Sequence, residues 1–184
     1  MPSTSAPFGL RPAFHGRGGI IRPVARTIVT GYASNILQFQ PVKIGTDGTV
    51  QAAGAGDRFV GTFQGVEYTD SDGRRRESNK WLANTAATDI VAYITEDPGI
   101  VYEIQTNATV AIGDIGKEYD FTAASGSTTT GLSSQMLDVA SSAANAGLQL
   151  LNASPYAGNA FDDTYVIVQV RISEHQLVAD VAAF

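Results

Sequence analysis

Histidine occurs twice in the 184-residue chain, at positions 15 and 175, and cysteine does not occur. Two histidines at opposite ends of the sequence build neither an HExxH metal motif nor a sequence-local proton relay. Without cysteine there is no thiolate nucleophile, no Cys-based zinc or iron-sulfur site and no disulfide framework. No GxSxG elbow is present. The run IGDIGKE at 112–118 lacks both the four-residue spacer of a phosphate loop and the Ser/Thr after Lys117. Gly16-Arg17-Gly18-Gly19 is not a GxGxxG turn following a strand. The acidic pairs Asp70/Asp72 and Asp162/Asp163 fall in turn-like sequence, where Asp caps local backbone. These readings predict a protein that is not an enzyme and takes no cofactor and no metal.

The one dense basic cluster is Arg74-Arg75-Arg76, inside TDSDGRRRESN. Glu67, Asp70, Asp72 and Glu77 flank it and cancel its field within about one Debye length, ~10 Å. In a strand, Arg74 and Arg76 share one face and Arg75 takes the other. Pairing with carboxylates, across a hairpin or between subunits, is the expected role, with a solvated hairpin end as the alternative. No nucleic-acid partner is expected.

The elements that would position these groups read as short strands. Hydrophobic residues make up 43% and charged residues 16%, with abundant Gly, Ser and Thr, the profile of a turn-rich globular domain. No stretch approaches the ~18 apolar residues of a membrane span and no secretory signal is visible, so a soluble protein made in a cytoplasm is expected, with no membrane partner. The net charge of -6 hides an asymmetry. Residues 1–46 hold five bases and no acid, while the remainder holds seven bases and all 18 acids.

Residues 1–26 carry prolines at 2, 7, 12 and 23 among glycines and read as an extended basic arm. The arm is expected to lie on another surface, anchored by Phe8 and Phe14 and paired through Arg11, Arg17, Arg22 and Arg26, while residues 27–184 fold without it. Thr46-Asp47-Gly48 signals a hairpin. In FVGTFQGVEYTD, strand alternation places Phe59, Gly61, Phe63 and Gly65 on one face and Val60, Thr62, Gln64 and Val66 on the other. Asp97-Pro98-Gly99 joins two strand-like runs as a further hairpin. A loop-rich insertion at about 113–160 should contain strands near LSSQMLDV and GLQLLNA, with a helix over 135–146 as the competing reading. TYVIVQVRISEHQLVAD reads as a central strand. The prediction is an all-β fold: a single compact β-barrel or β-sandwich domain with an N-terminal arm and long Ser/Thr/Gly loops.

The run GTDGTVQAAGAGDRFVGTFQGVEYTDSDGRRRESNKWLA, then VAYITEDPGIVYEIQ, a Ser/Thr-Gly loop, SQMLDV and VQVRISEHQ, resembles head structural proteins of tailed bacteriophages. The FGLRPAFH opening fits the same pattern. In particular the chain is similar to the cement or decoration proteins on the outer capsid surface. The resemblance implies a β-rich subunit that binds the major capsid protein, ties neighbouring capsomers together and stabilises the shell. It also implies self-association, a homotrimer being favoured and a dimer the alternative, and residence on the virion after assembly in the host cytoplasm. A second reading is a carbohydrate-binding spike or tail component, with Trp81, Tyr93 and Tyr156 as candidate platforms for sugars.

Overall fold

Two six-stranded antiparallel sheets carry the fold, and neither closes into a barrel. The computed structural model describes residues 4–143 and 146–178. Residues 1–3 of the expected arm, 144–145 of the competing helix and 179–180 of the expected last strand therefore lie outside the described residues. In the first sheet the order is β1 (Arg11–His15), β10 (Ile100–Gln105), β16 (Ile167–Ile172), β15 (Leu148–Ala153), β11 (Glu118–Phe121) and β14 (Leu137–Asp138). In the second it is β2 (Val24–Arg26), β9 (Ala87–Thr95), β6 (Gly61–Asp70), β4 (Pro41–Ile44) and β5 (Val50–Ala52), with β7 (Arg75–Ser78) also on β6. Two small ladders complete the set, β3 (Ile36–Leu37) with β8 (Lys80–Trp81), and β12 (Gly126–Ser127) with β13 (Leu132–Ser133).

The all-β prediction is met; its barrel alternative is not. The expected central strand is β16, flanked by β10 and β15. Val168, Val170 and Ile172 point into the core while the residues between them are half-buried, so β16 is apolar on one face rather than on both. The expected hairpin at 46–48 joins β4 to β5, with Asp47 accepting from Thr49 N–H and Gly48 at φ +77°. Residues 113–160 are less loop-like than expected, since β11, β14 and β15 are integral to the first sheet. The competing helix is replaced by β14 and a short 3-10 turn at Val139–Ser141.

Each sheet owns an apolar cluster. Phe59, Tyr102, Phe121 and Leu150 belong to the first; Phe63, Val66, Trp81 and Ile94 belong to the second. The expected alternation along 59–66 fails here. Phe59 packs into the first cluster, edge-on to Phe121 with ring centroids 5.4 Å apart, while Phe63 packs into the second. Between Phe63 and Gly65 the pairing of β6 with β9 slips by one residue, a bulge that returns Val66 to the same core as Phe63. The sheets meet where the Thr62 and Thr95 hydroxyls are 2.8 Å apart and the Tyr102 hydroxyl donates to Thr95 O at 3.3 Å.

A second correction concerns Asp97-Pro98-Gly99. It joins β9 to β10, but β9 pairs with β2 and β6 while β10 pairs with β1 and β16. The turn is a crossing from one sheet to the other, not a hairpin. Turn chemistry reverses the chain in either case; which neighbours capture the strands is decided by distant segments.

Candidate functional site

The segment expected to be an arm laid on another surface is built into its own body. Leu10 is fully buried in the first core and its N–H donates to Phe39 O at 2.8 Å. β1 is an edge strand of the first sheet, beside β10, and β2 an edge strand of the second, beside β9. The reason lies in β10, all six residues of which are buried. Tyr102 and Ile104 face the core; Glu103 and Gln105 face outward and need partners once covered. The first segment supplies them for Gln105, whose Oε1 accepts from Ala6 N–H at 2.8 Å and whose Nε2 donates to Thr4 O at 2.9 Å. Arg11 donates to Glu103 at 2.6 Å and to the Tyr156 hydroxyl at 3.1 Å, and its guanidinium lies 4.6 Å from the Phe8 ring centre. Burial alone would raise the Glu103 pKa; hydrogen bonds from Arg11 and Tyr156 outweigh it and hold the carboxyl below its ordinary value. At the other end, Arg26 grips Glu96 through two nitrogens, at 3.0 and 2.8 Å.

Between β1 and β2 the chain crosses from the first sheet to the second over 16–23. It does so beside the β9–β10 crossing, to which it is tied by Gly16 N–H donating to Gly99 O at 2.8 Å. At this double seam Phe14 is 45% exposed and Ile20 77% exposed. Arg17 and Arg22 are exposed as well, with no ion pair among the described residues. The expected anchors thus divide: Phe8, Arg11 and Arg26 are used internally, while Phe14, Arg17 and Arg22 face outward.

A cleft of about 750 Å³ opens at the seam, and both histidines of the chain line it. The His15 Nδ1 accepts from Arg17 N–H, which leaves Nε2–H facing Asp97 Oδ2 at 3.3 Å. Gly99 makes room for this ring, since a Cβ there would lie 2.6 Å from His15 Nε2. His175 is 2% exposed, with Nε2 at 3.1 Å from Glu96 O and Nδ1 accepting from Leu177 N–H. Burial pushes its pKa below the ordinary histidine value, against the opposing effect of the Glu96 carbonyl. The Ser173 hydroxyl, also in the lining, donates to Ala146 O. This meeting of residues 15, 97 and 175 has no local sequence signal, because it follows from the two crossings. Among the described residues no group of three or more His, Asp and Glu is arranged to hold a metal ion.

The arginine triplet sits at a hairpin of β6 and β7. Arg75 and Arg76 lie on opposite faces of β7; Arg74 precedes the strand in the turn, where its O accepts from Asp70 N–H at 3.0 Å. Arg75 donates to Glu67 at 3.0 Å and to Asp89 O at 2.7 Å, and Tyr93 adds a hydrogen bond to Glu67 at 2.8 Å. Arg76 donates to Asp70 at 2.6 Å and, with the Arg74 backbone N–H, holds that carboxyl below its ordinary pKa. The Arg74 guanidinium makes no such pair among the described residues. Arg75→Glu should therefore lower the midpoint of a thermal melt, because it sets a carboxylate beside Glu67, whereas Arg74→Glu should leave it unchanged.

The three candidate sugar platforms do not form an exposed set. Trp81 is 1% exposed, packed edge-on to Tyr68 with centroids 5.6 Å apart. Tyr93 is half-buried with its hydroxyl on Glu67, and Tyr156, 46% exposed, has its hydroxyl on Glu103. No helix among the described residues is long and apolar enough to cross a membrane. Comparison with protein-family models, curated proteins and solved structures finds no match to this chain.

Proposed function

We propose that this chain is a structural, non-enzymatic virion protein, a cement or decoration protein that binds the outer surface of a tailed-bacteriophage capsid and ties neighbouring capsomers together. Its partners are the major capsid protein and further copies of itself, as a homotrimer. The observation that carries the reading is the loop at 16–23. It exposes Arg17, Ile20 and Arg22, and Phe14 on the strand before it is exposed as well, while the flanking strands are locked into two separate sheets. A rigidly mounted loop with apolar and cationic side chains loses little conformational freedom on docking, which favours affinity per contact. Several copies around a symmetry axis then turn later contacts into intramolecular ones, so modest single contacts suffice to clamp a shell.

The test uses empty shells of the major capsid protein encoded in the same genome. The double variant Ile20→Asp, Arg22→Glu changes exposed positions only, so its melting temperature should match that of the parent. Its affinity for shells should fall about tenfold or more, as for loss of a hot-spot contact. Unchanged occupancy of shells at equal protein concentration would overturn the reading.

A further inference from the structure

The cleft at the seam combines an apolar wall with two guanidinium groups that have no carboxylate partner among the described residues. Phe14, Ile100, Val101, Leu151 and Val178 supply the apolar surface. Phe14 lies directly opposite Val101 in the β1–β10 ladder, so the cleft runs along the outer face of the first sheet. Among the described residues Arg11, Arg26, Lys43, Arg75, Arg76 and Lys117 are held by carboxylates, while Arg17, Arg22, Arg74, Lys80 and Arg171 show no such pair. Of these, Arg17 and Arg171 line this cleft. Arg171 is half-buried on β16, with Nε donating to Gln149 Oε1 at 2.8 Å. The carboxylate in the lining, Asp97, is engaged by His15. A guanidinium partly removed from water and without a counter-charge is an incomplete site, and an anion completes it. The volume falls within the ~300–1,000 Å³ usual for ligand sites.

We propose that this cleft binds an extended peptide segment of a partner protein in which a carboxylate side chain sits beside an apolar one. The apolar group packs on Phe14, Val101 and Val178, and the carboxylate meets Arg17 and Arg171. The source of the segment rests on the reading of the chain as a shell-binding protein; the chemistry of the cleft does not. A segment of this kind also covers Phe14, whose ring is otherwise left in water at the edge of a sheet.

The two histidines give the experiment its readout, because each reports the cleft through its own Cε1–H proton signal. The probes are the acetylated, amidated peptides Val-Asp-Phe-Val, Val-Asn-Phe-Val and Val-Lys-Phe-Val, titrated into the full chain. The Asp peptide should give saturable shifts of the His15 signal and bind about tenfold more tightly than the Lys peptide, the scale expected for a charge pair in a partly dry site. Arg17→Glu, at an exposed position, should reverse that order with the fold intact. Equal binding of all three peptides, or no saturable shift, would overturn the proposal. Because no capsid is present, that result would stand apart from the outcome of the shell experiment.

Discussion

Deleting residues 2–22 should unfold the body rather than release an appendage. The deletion removes Leu10, fully buried in the first core, where loss of a leucine side chain costs about 2–5 kcal/mol. It also removes Arg11 from Glu103, a residue 5% exposed, and leaving a buried carboxylate without its cation costs about 3 kcal/mol. With β1 gone, the backbone of β10 loses one of its two neighbours and Gln105 loses the partners of its amide. These losses are comparable with the whole stability of a domain, about 5–15 kcal/mol. The truncated chain should show no cooperative thermal transition by circular dichroism and should accumulate in the insoluble fraction. A soluble truncation that melts at the parental temperature would show that the first segment is an accessory to the fold.

Gly61→Ala should be nearly as damaging, although it adds one methyl group. A Cβ at Gly61 would stand 1.5 Å from Thr95 O and 3.2 Å from the Tyr102 hydroxyl, at the contact between the two sheets. The obstruction is a backbone carbonyl in the β6–β9 ladder, so it does not rotate away and the strands must separate. The cost should reach about 3 kcal/mol, the upper end for overpacking. In a chain of this size that lowers the melting temperature by roughly 6–12 °C. Gly113→Ala is the control, since a Cβ there meets nothing within 4 Å. Equal melting temperatures for the two variants would refute the close approach at Gly61.

What was legible in the sequence is what short segments encode by themselves. The Thr46-Asp47-Gly48 hairpin needs only a residue that tolerates positive φ, and Gly48 supplies it. The carboxylate pairs of Arg75 and Arg76 follow from a turn of known length and the alternation of side chains on β6 and β7. Partnership between distant strands was not legible. Asp97-Pro98-Gly99 has the chemistry of a hairpin and serves as a crossing, because β9 finds a ten-residue partner in β6. The first segment looked free for a related reason. In IVYEIQ, Glu103 and Gln105 alternate with Tyr102 and Ile104 as in a strand with one solvated face, and nothing in that pattern announces a cover. The cleft was hidden twice over, since it requires both crossings and the return of β16 to the seam.

The placement of β1 and β2 at the outer edges of both sheets also sets an order of events during synthesis. Arg11 must wait for Glu103, 92 residues further along the chain, and Arg26 for Glu96, 70 residues further. At ribosomal speeds of about 5–20 residues per second that is an interval of about 4–18 s in which the first segment, with Phe8, Leu10 and Phe14, has no strand to join. Its prolines and glycines suit this waiting period, because they disfavour premature helix and block adhesive pairing with another nascent chain. The segment carrying β1 and β2 therefore joins the two sheets only after β9 and β10 have been made.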